Sequence, residues 1–437
     1  MSTGMITVLA FLILIMTGSH IFIIFFAVGL GTTAAIMGFD TAVAMIGQTI
    51  YHGVATPTYT VLPLFILMGS FAARAGFAKD AYDTISIWAR KVPGSLGVAT
   101  CWASAMFGAI CGSSLAGAAV FGKIALPEMK ALKYDKSFSL GCIASAGTFA
   151  AMIPPSSVMI VLAILTDQSV GMLFMAGIVP GLFTAAVYTA SIIYRAARNP
   201  KIMPRSTDVT EYTLSEKLRY SVRVCPILLL IFVVLGGIYS GFFTPTEAAA
   251  IGASLTLVIG IWKGDLKQFS VIREALQDAA KTTSMIFAIM VGALYFGRVL
   301  GVTRLPSNLT QAIIEMNIPP TAVTIAILVV FFFLGMFMNA SAFFMFSLPI
   351  FFPVIVKLGV DPVWFCIVAM KMAEIGAVTP PVGLNAFALK GVAGRDVTVE
   401  DVFSGVLPFI YADLVVLVFL FIFPWLATWL PNLYMGG

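Results

Sequence analysis

Apolar stretches long enough to cross a lipid bilayer recur along this chain with little that is polar between them. They cover residues 5–38, 57–76, 137–165, 171–194, 222–241, 244–262, 282–302, 320–356, 362–390 and 403–430. A helix needs about 20 mostly apolar residues to span the hydrocarbon core. Only 10% of the 437 residues are charged, where a soluble domain carries about 25%. A water-facing surface of normal size cannot be built from this composition. The chain therefore reads as an all-α polytopic, multi-pass membrane protein whose surroundings are the lipid bilayer.

The first stretch has neither a basic leading segment nor a small-residue cleavage site, so it is expected to be retained rather than removed as a signal peptide. Cys101, Cys111, Cys142, Cys225 and Cys366 are scattered through apolar segments without paired spacing. They read as small buried hydrophobes rather than a disulfide framework. A net charge of +5 would by itself permit an acidic partner. The placement of the charges gives them another use, and no nucleic-acid partner is expected.

Basic residues near membrane segments collect on the cytoplasmic side. Of the 25 here, 21 fall in five clusters: Arg74 to Lys91, Lys123 to Lys136, Arg195 to Arg223, Lys263 to Lys281, and Lys390 to Arg395. If all five face the cytoplasm, residues 94–130 must return to the side they left. Gly108, Gly112, Ser113 and Ser114 supply a bend, so this stretch is expected to form a re-entrant hairpin. Irregular backbone at membrane depth is tolerated only where protein or water satisfies it, so the tip implies an internal cavity. The same accounting puts both termini on the periplasmic side, and residues 1–39 and 431–437 carry no acidic or basic charge at pH 7.

A shift of 226 residues aligns the chain's punctuation. Pro127 falls on Pro353, Leu132 on Leu358, Asp135 on Asp361, Pro154-Pro155 on Pro380-Pro381, and Ser113-Ser114 on Asn339-Ala340. Two repeats are therefore expected. Residues 1–221 hold hairpin 94–130 and a helix over 137–165 broken at its prolines. Residues 222–437 hold a second hairpin, 320–356, and a second broken helix, 362–390. The charge argument starts the first copy outside and the second inside, which makes the repeats inverted, a recurrent design of secondary transporters.

A proline in mid-helix removes a backbone donor and clashes with the preceding turn, and two in succession unwind it. Carbonyls such as those of Ala151 and Val378 are then freed. Together with small hydroxyls they are hard oxygen ligands suited to an alkali cation, while helix N-termini at a break suit an anion. The expectation is two Na+ sites flanking one anionic solute. The candidate Na+ ligands are Ser113, Ser114, Pro154 and Ser156 in the first half, and Asn339, Ser341, Thr379, Pro380, Val382 and Asn385 in the second. The candidate solute contacts are Gly112, Ser157, Arg298 and Lys371. Any single serine could equally be helix-packing glue. Ionisable residues at depth are costly and mark function, which singles out Arg298, Lys371, Glu374 and Asp413. Lys371 and Glu374, three apart on one helix, are expected either to pair with each other or to leave Lys371 for the solute. Glu247 is expected near a helix start, where its charge suits the N-terminus.

Gly29 to Ala34 matches a dinucleotide-binding pattern but lies in an apolar span with no preceding strand. Phe121-Gly122-Lys123 is no phosphate loop, since isoleucine follows, so the chain is not expected to hydrolyse ATP. An intramembrane serine hydrolase built on Ser113 or Ser114 is disfavoured because His20 and His52, the two histidines, lie outside the deep segments. A passive channel is disfavoured because two matched hairpins close a site rather than line a pore. The chain is expected not to be an enzyme.

FGAICGSSLAGAAVFGKIALPEM, AAMIPPSSVMIV, MAGIVPGL, FTPTEAAAIG and EIGAVTPPVGLNAF together closely resemble the large, DctM-like membrane subunit of tripartite ATP-independent periplasmic (TRAP) transporters. The likeness runs essentially from end to end. It implies Na+-coupled secondary import of a small organic anion, a carboxylate or sulfonate, across the bacterial inner membrane. It implies an elevator-type, ion-transporter-like fold with both hairpins and both broken helices in the moving unit. It also implies a small four-helix membrane subunit, a periplasmic substrate-binding protein, and no cofactor beyond Na+ as coupling ion. No fused small subunit is expected, because the chain opens on the first core span. Asn339 stands where many members carry an acidic residue, and Lys371 where a neutral one is common. A stand-alone sodium/dicarboxylate carrier is the alternative within transport.

Overall fold

The computed structural model describes residues 3–204 and 212–435, and every regular element in it is helical. Arg205 of the third basic cluster and the extreme termini lie outside the described residues. The chain opens with α1 (Thr3–Ile15), α2 (Ile21–Met37), α3 (Phe39–Val54), α4 (Val61–Arg74) and α5 (Phe77–Ala89). The apolar run 5–38 is thus two helices where one span was expected. Gly18 adopts φ +73°, and the Thr17 hydroxyl takes the Leu14 carbonyl at 2.7 Å, so the run turns although it holds no proline. α3 and α4, separated by Pro57, bend by 58° as a pair.

The first hairpin is α6 (Ser95–Cys111) and α7 (Ser114–Ala131). Its arms fold back on each other, for Phe107 meets Phe121 edge to face at 6.0 Å, whereas a straight helix would hold them about 20 Å apart. Then come α8 (Lys136–Ala146), the single turn α9 (Phe149–Met152) and α10 (Ser157–Thr166), bent by 45° across the prolines. Long α11 (Val170–Arg198), short α12 (Leu214–Ser221), α13 (Cys225–Tyr239) and α14 (Pro245–Lys263) follow. As expected, Glu247 sits in the first turn of α14, where it closes a capping box with Thr244. α15 runs 34 residues, Phe269–Val302, well beyond the expected 282–302. No breaker interrupts it, so it extends about 50 Å and outreaches the bilayer core. After α16 (Leu305–Glu315), the second hairpin is α17 (Pro320–Phe337) and α18 (Ala340–Lys357), with Phe331 against Phe343 and Phe351. The chain closes with α19 (Pro362–Val378), α20 (Leu384–Ala393), α21 (Val399–Ile422) and α22 (Trp425–Met435). Among the described residues, seven helices are long and apolar enough to cross a membrane, nine if each bent pair is one span.

Positions 226 apart hold matching local structure. Asp135 and Asp361 cap α8 and α19 through their carboxylates, each accepting a backbone N–H at 2.8 Å. Ser113 and Asn339 cap α7 and α18. Both double prolines contain a cis peptide bond.

Among the described residues, contacts link the segments that carry the five basic clusters. Arg74 pairs with Glu274 at 2.7 Å and with Asp278, and Lys263 pairs with Asp80, joining the first cluster to the fourth. Trp88 donates to Ser221 at 3.0 Å, joining the first to the third. Asp135 N–H reaches the Ile202 carbonyl, joining the second to the third. Lys130 pairs with Asp396 at 2.9 Å and Lys136 with Asp401 at 2.6 Å, joining the second to the segment just past the fifth. Lys130 also holds the exposed Asp396 carboxyl below its ordinary pKa.

Candidate functional site

Each hairpin tip is built by local chemistry. Gly112 ends α6 with φ +62°, a conformation glycine adopts freely. The Ser113 hydroxyl then accepts the Ala116 N–H and starts α7. In the second tip Met338 is extended, and the Asn339 side-chain oxygen accepts the Ala342 N–H at 3.2 Å to start α18. Ser113 and Asn339 therefore act first as helix caps. Ser156 does the same for α10, accepting from Met159.

The tips dock on the breaks. The Ser157 hydroxyl donates to the Gly112 carbonyl at 2.8 Å, and a Cβ on Gly112 would lie 3.0 Å from the Ser157 nitrogen. In the second half the Gly383 N–H donates to the Met336 carbonyl, and a Cβ on Gly376 would lie 2.8 Å from the Gly335 backbone. The two halves also interlock. α7 packs on α20 and α10 on α18, and the Ser114 hydroxyl donates to Glu374 Oε1 at 3.4 Å. Ser113, Ser114, Ser156 and Ser157 thus join Asn339, Ser341, Thr379 and Asn385 in one region where α7, α10, α18 and α20 all begin. Ser156 and Asn385 are fully buried there. Pro154 is buried, Val382 and Pro380 are half-buried, and Pro381 is exposed. The Thr379 hydroxyl donates to the Ile375 carbonyl at 2.6 Å, taking up one acceptor at the end of α19. Replacing Ser157 by alanine should cost about 1 kcal/mol of stability, with threonine recovering most of it, read as melting temperature in detergent.

Two expected solute contacts stand elsewhere. Arg298 is exposed on α15 and donates to Thr49 of α3 at 3.0 Å, not to either break. Lys371 does not pair with Glu374. Its ammonium meets Asp413 Oδ1 at 2.5 Å, with side-chain exposures of 3% and 1%, and the Tyr188 hydroxyl donates to Asp413 Oδ2 at 2.8 Å. These contacts neutralise the Lys371 charge inside the protein and tie α19 to α21 and α11.

A family model described as "Tripartite ATP-independent periplasmic transporter, DctM component" matches residues 8–426. The C4-dicarboxylate TRAP transporter large permease protein DctM of Pseudomonas aeruginosa is 35% identical over 377 residues, covering 86% of each chain. The isethionate TRAP transporter permease protein DctMQ of Oleidesulfovibrio alaskensis is 32% identical over 94% of this chain and 63% of its own length. The sialic acid TRAP transporter large permease protein SiaM of Vibrio cholerae is 27% identical over 91% of each. Among solved structures, the Alcanivorax borkumensis YdaH transporter superposes with a TM-score of 0.68 at 14% identity, covering 96% of this chain and 98% of its own, a likeness of fold alone.

Proposed function

This chain belongs to the DctM-component family of tripartite ATP-independent periplasmic transporters, and from that membership we propose that it imports a small organic anion coupled to Na+. It is a membrane transport subunit and not an enzyme. The observation that carries the reading is the convergence of both hairpin tips and both helix breaks. Four helix N-termini there offer N–H groups and positive dipole to a carboxylate or sulfonate. Hydroxyls, amides and freed carbonyls beside them are oxygen ligands for Na+. Asn385 is fully buried with neither side-chain polar atom hydrogen-bonded, which supports it as one of these ligands. The relatives named for C4-dicarboxylate, isethionate and sialic acid favour an organic acid as the solute.

The basic clusters face the cytoplasm in this reading, which puts both termini in the periplasm and makes each hairpin re-entrant. The matched caps and proline pairs support two inverted repeats, 1–221 and 222–437, whose hairpins and broken helices move together as an elevator. A small four-helix membrane subunit and a periplasmic substrate-binding protein complete the system in the bacterial inner membrane.

Uptake into proteoliposomes across a Na+ titration tests the coupling. Ser114→Ala and Asn339→Ala should each raise the half-saturating Na+ concentration at least several-fold, and unchanged curves in both would remove these residues from the Na+ sites. Uptake that proceeds at full rate without the binding protein would favour the stand-alone carrier instead.

A further inference from the structure

Glu374 is 2% exposed in α19, and its two carboxylate oxygens differ. Oε1 accepts the Ser114 hydroxyl, while Oε2 is enclosed without a hydrogen-bond partner. Lys371, three residues away on the same helix, is held by Asp413. Ionised, Glu374 adds one buried negative charge that Lys371, already paired with Asp413, does not compensate. An isolated buried charge is costly, and a buried carboxylate escapes that cost either by holding a proton or by taking a cation from outside the chain.

The packing register brings Asn385 to the same place. Gly122 of α7 faces Leu389 and Val392 of α20, and further along Lys130 of α7 pairs with Asp396, just past α20. The two helices thus run side by side in one direction. Followed back, that register sets Ser114 level with the first turn of α20, which carries Asn385. The N-terminus of α7 and the Ser114 hydroxyl both favour an ionised carboxylate over a protonated one. They leave free the oxygen that a cation would take. An ionised carboxylate, an amide oxygen and a hydroxyl form a ligand set for a small hard cation.

We infer that Glu374 is the charged ligand of a Na+ ion bound where the first hairpin tip meets the second break, with Asn385 and Ser114 as neutral ligands. Asp413 is a positioning residue: by holding Lys371 it keeps the lysine from filling the place of the ion. This rests on the Na+-coupled reading above and adds to it the residue that supplies the charge.

The test is thermal unfolding of the purified protein in detergent, titrated with NaCl against choline chloride at constant ionic strength. The wild type should show a saturable Na+-dependent rise in Tm. Glu374→Gln should lose that rise or shift its midpoint at least tenfold, yet melt no lower than wild type in choline alone, because a neutral amide replaces an unpaired charge. Asp413→Asn reads the same site without touching Glu374. Its midpoint should also weaken, as Lys371 turns to Glu374, and Lys371→Met with Asp413→Asn should recover it. A Na+-dependent rise identical in wild type and Glu374→Gln overturns the assignment and leaves Na+ coupling intact. Absence of any Na+-dependent rise in the wild type overturns both.

Discussion

Replacing Lys371 with methionine should destabilise this transporter more than any other single change in its ion-pair network. The substitution leaves Asp413 and Glu374 as two buried carboxylates with no ammonium between them, and breaking a buried pair by removing one partner costs about 3–5 kcal/mol. The Tyr188 hydroxyl still donates to Asp413, but the wild type has that bond too, so it offsets none of the loss. The double variant Lys371→Met/Asp413→Asn removes both charges and should melt close to wild type, since replacing both partners of a buried pair is often neutral. Asp413→Asn alone should be milder than Lys371→Met, because the freed lysine has Glu374 three residues away on its own helix. Melting temperatures of the three variants in detergent check the order. Equal losses for Lys371→Met and the double variant would show that packing, not charge, holds this site.

The same residues show what could be read from the sequence. The hairpins and breaks were legible because their signals are local: Gly112-Ser113, Asn339 and the double prolines each act on the turn that contains them. The partner of Lys371 was not legible. A local rule offered Glu374, whereas the structure supplies Asp413, 42 residues on. Ser114 meets Glu374 across 260 residues. No spacing rule reaches that far, because such contacts are set by how whole helices pack. Arg298 misled for a related reason, as depth along an apolar span does not say which face a side chain occupies. The split of 5–38 was hidden because one glycine flanked by hydroxyls turned a run that composition alone makes continuous.

Backbone contact between α8 and α21 sets the second large effect. A Cβ on Gly405 would overlap the Ser137 carbonyl oxygen, and a Cβ on Gly141 would overlap the Gly405 carbonyl. Both obstacles are backbone, which cannot swing aside as a side chain can. Small residues that let helices approach this closely are the usual device of membrane packing. Around them the Ser137 and Ser404 hydroxyls share a hydrogen bond at 2.5 Å and Lys136 pairs with Asp401, so any separation loses these as well. Overpacking costs about 1–3 kcal/mol where neighbours can yield, and Gly405→Ala should exceed that range. Because α21 also carries Asp413, the shift should pull on the Lys371 pair and reach the first break through α8. Gly391→Ala is the control: its Cβ meets nothing within 4 Å, and alanine in a helix should be neutral or stabilising by up to about 1 kcal/mol. Yield of monodisperse protein and its melting temperature measure both. If Gly405→Ala melts with Gly391→Ala, the close approach is not what holds these two helices, and the coupling from α21 to the break loses its physical basis.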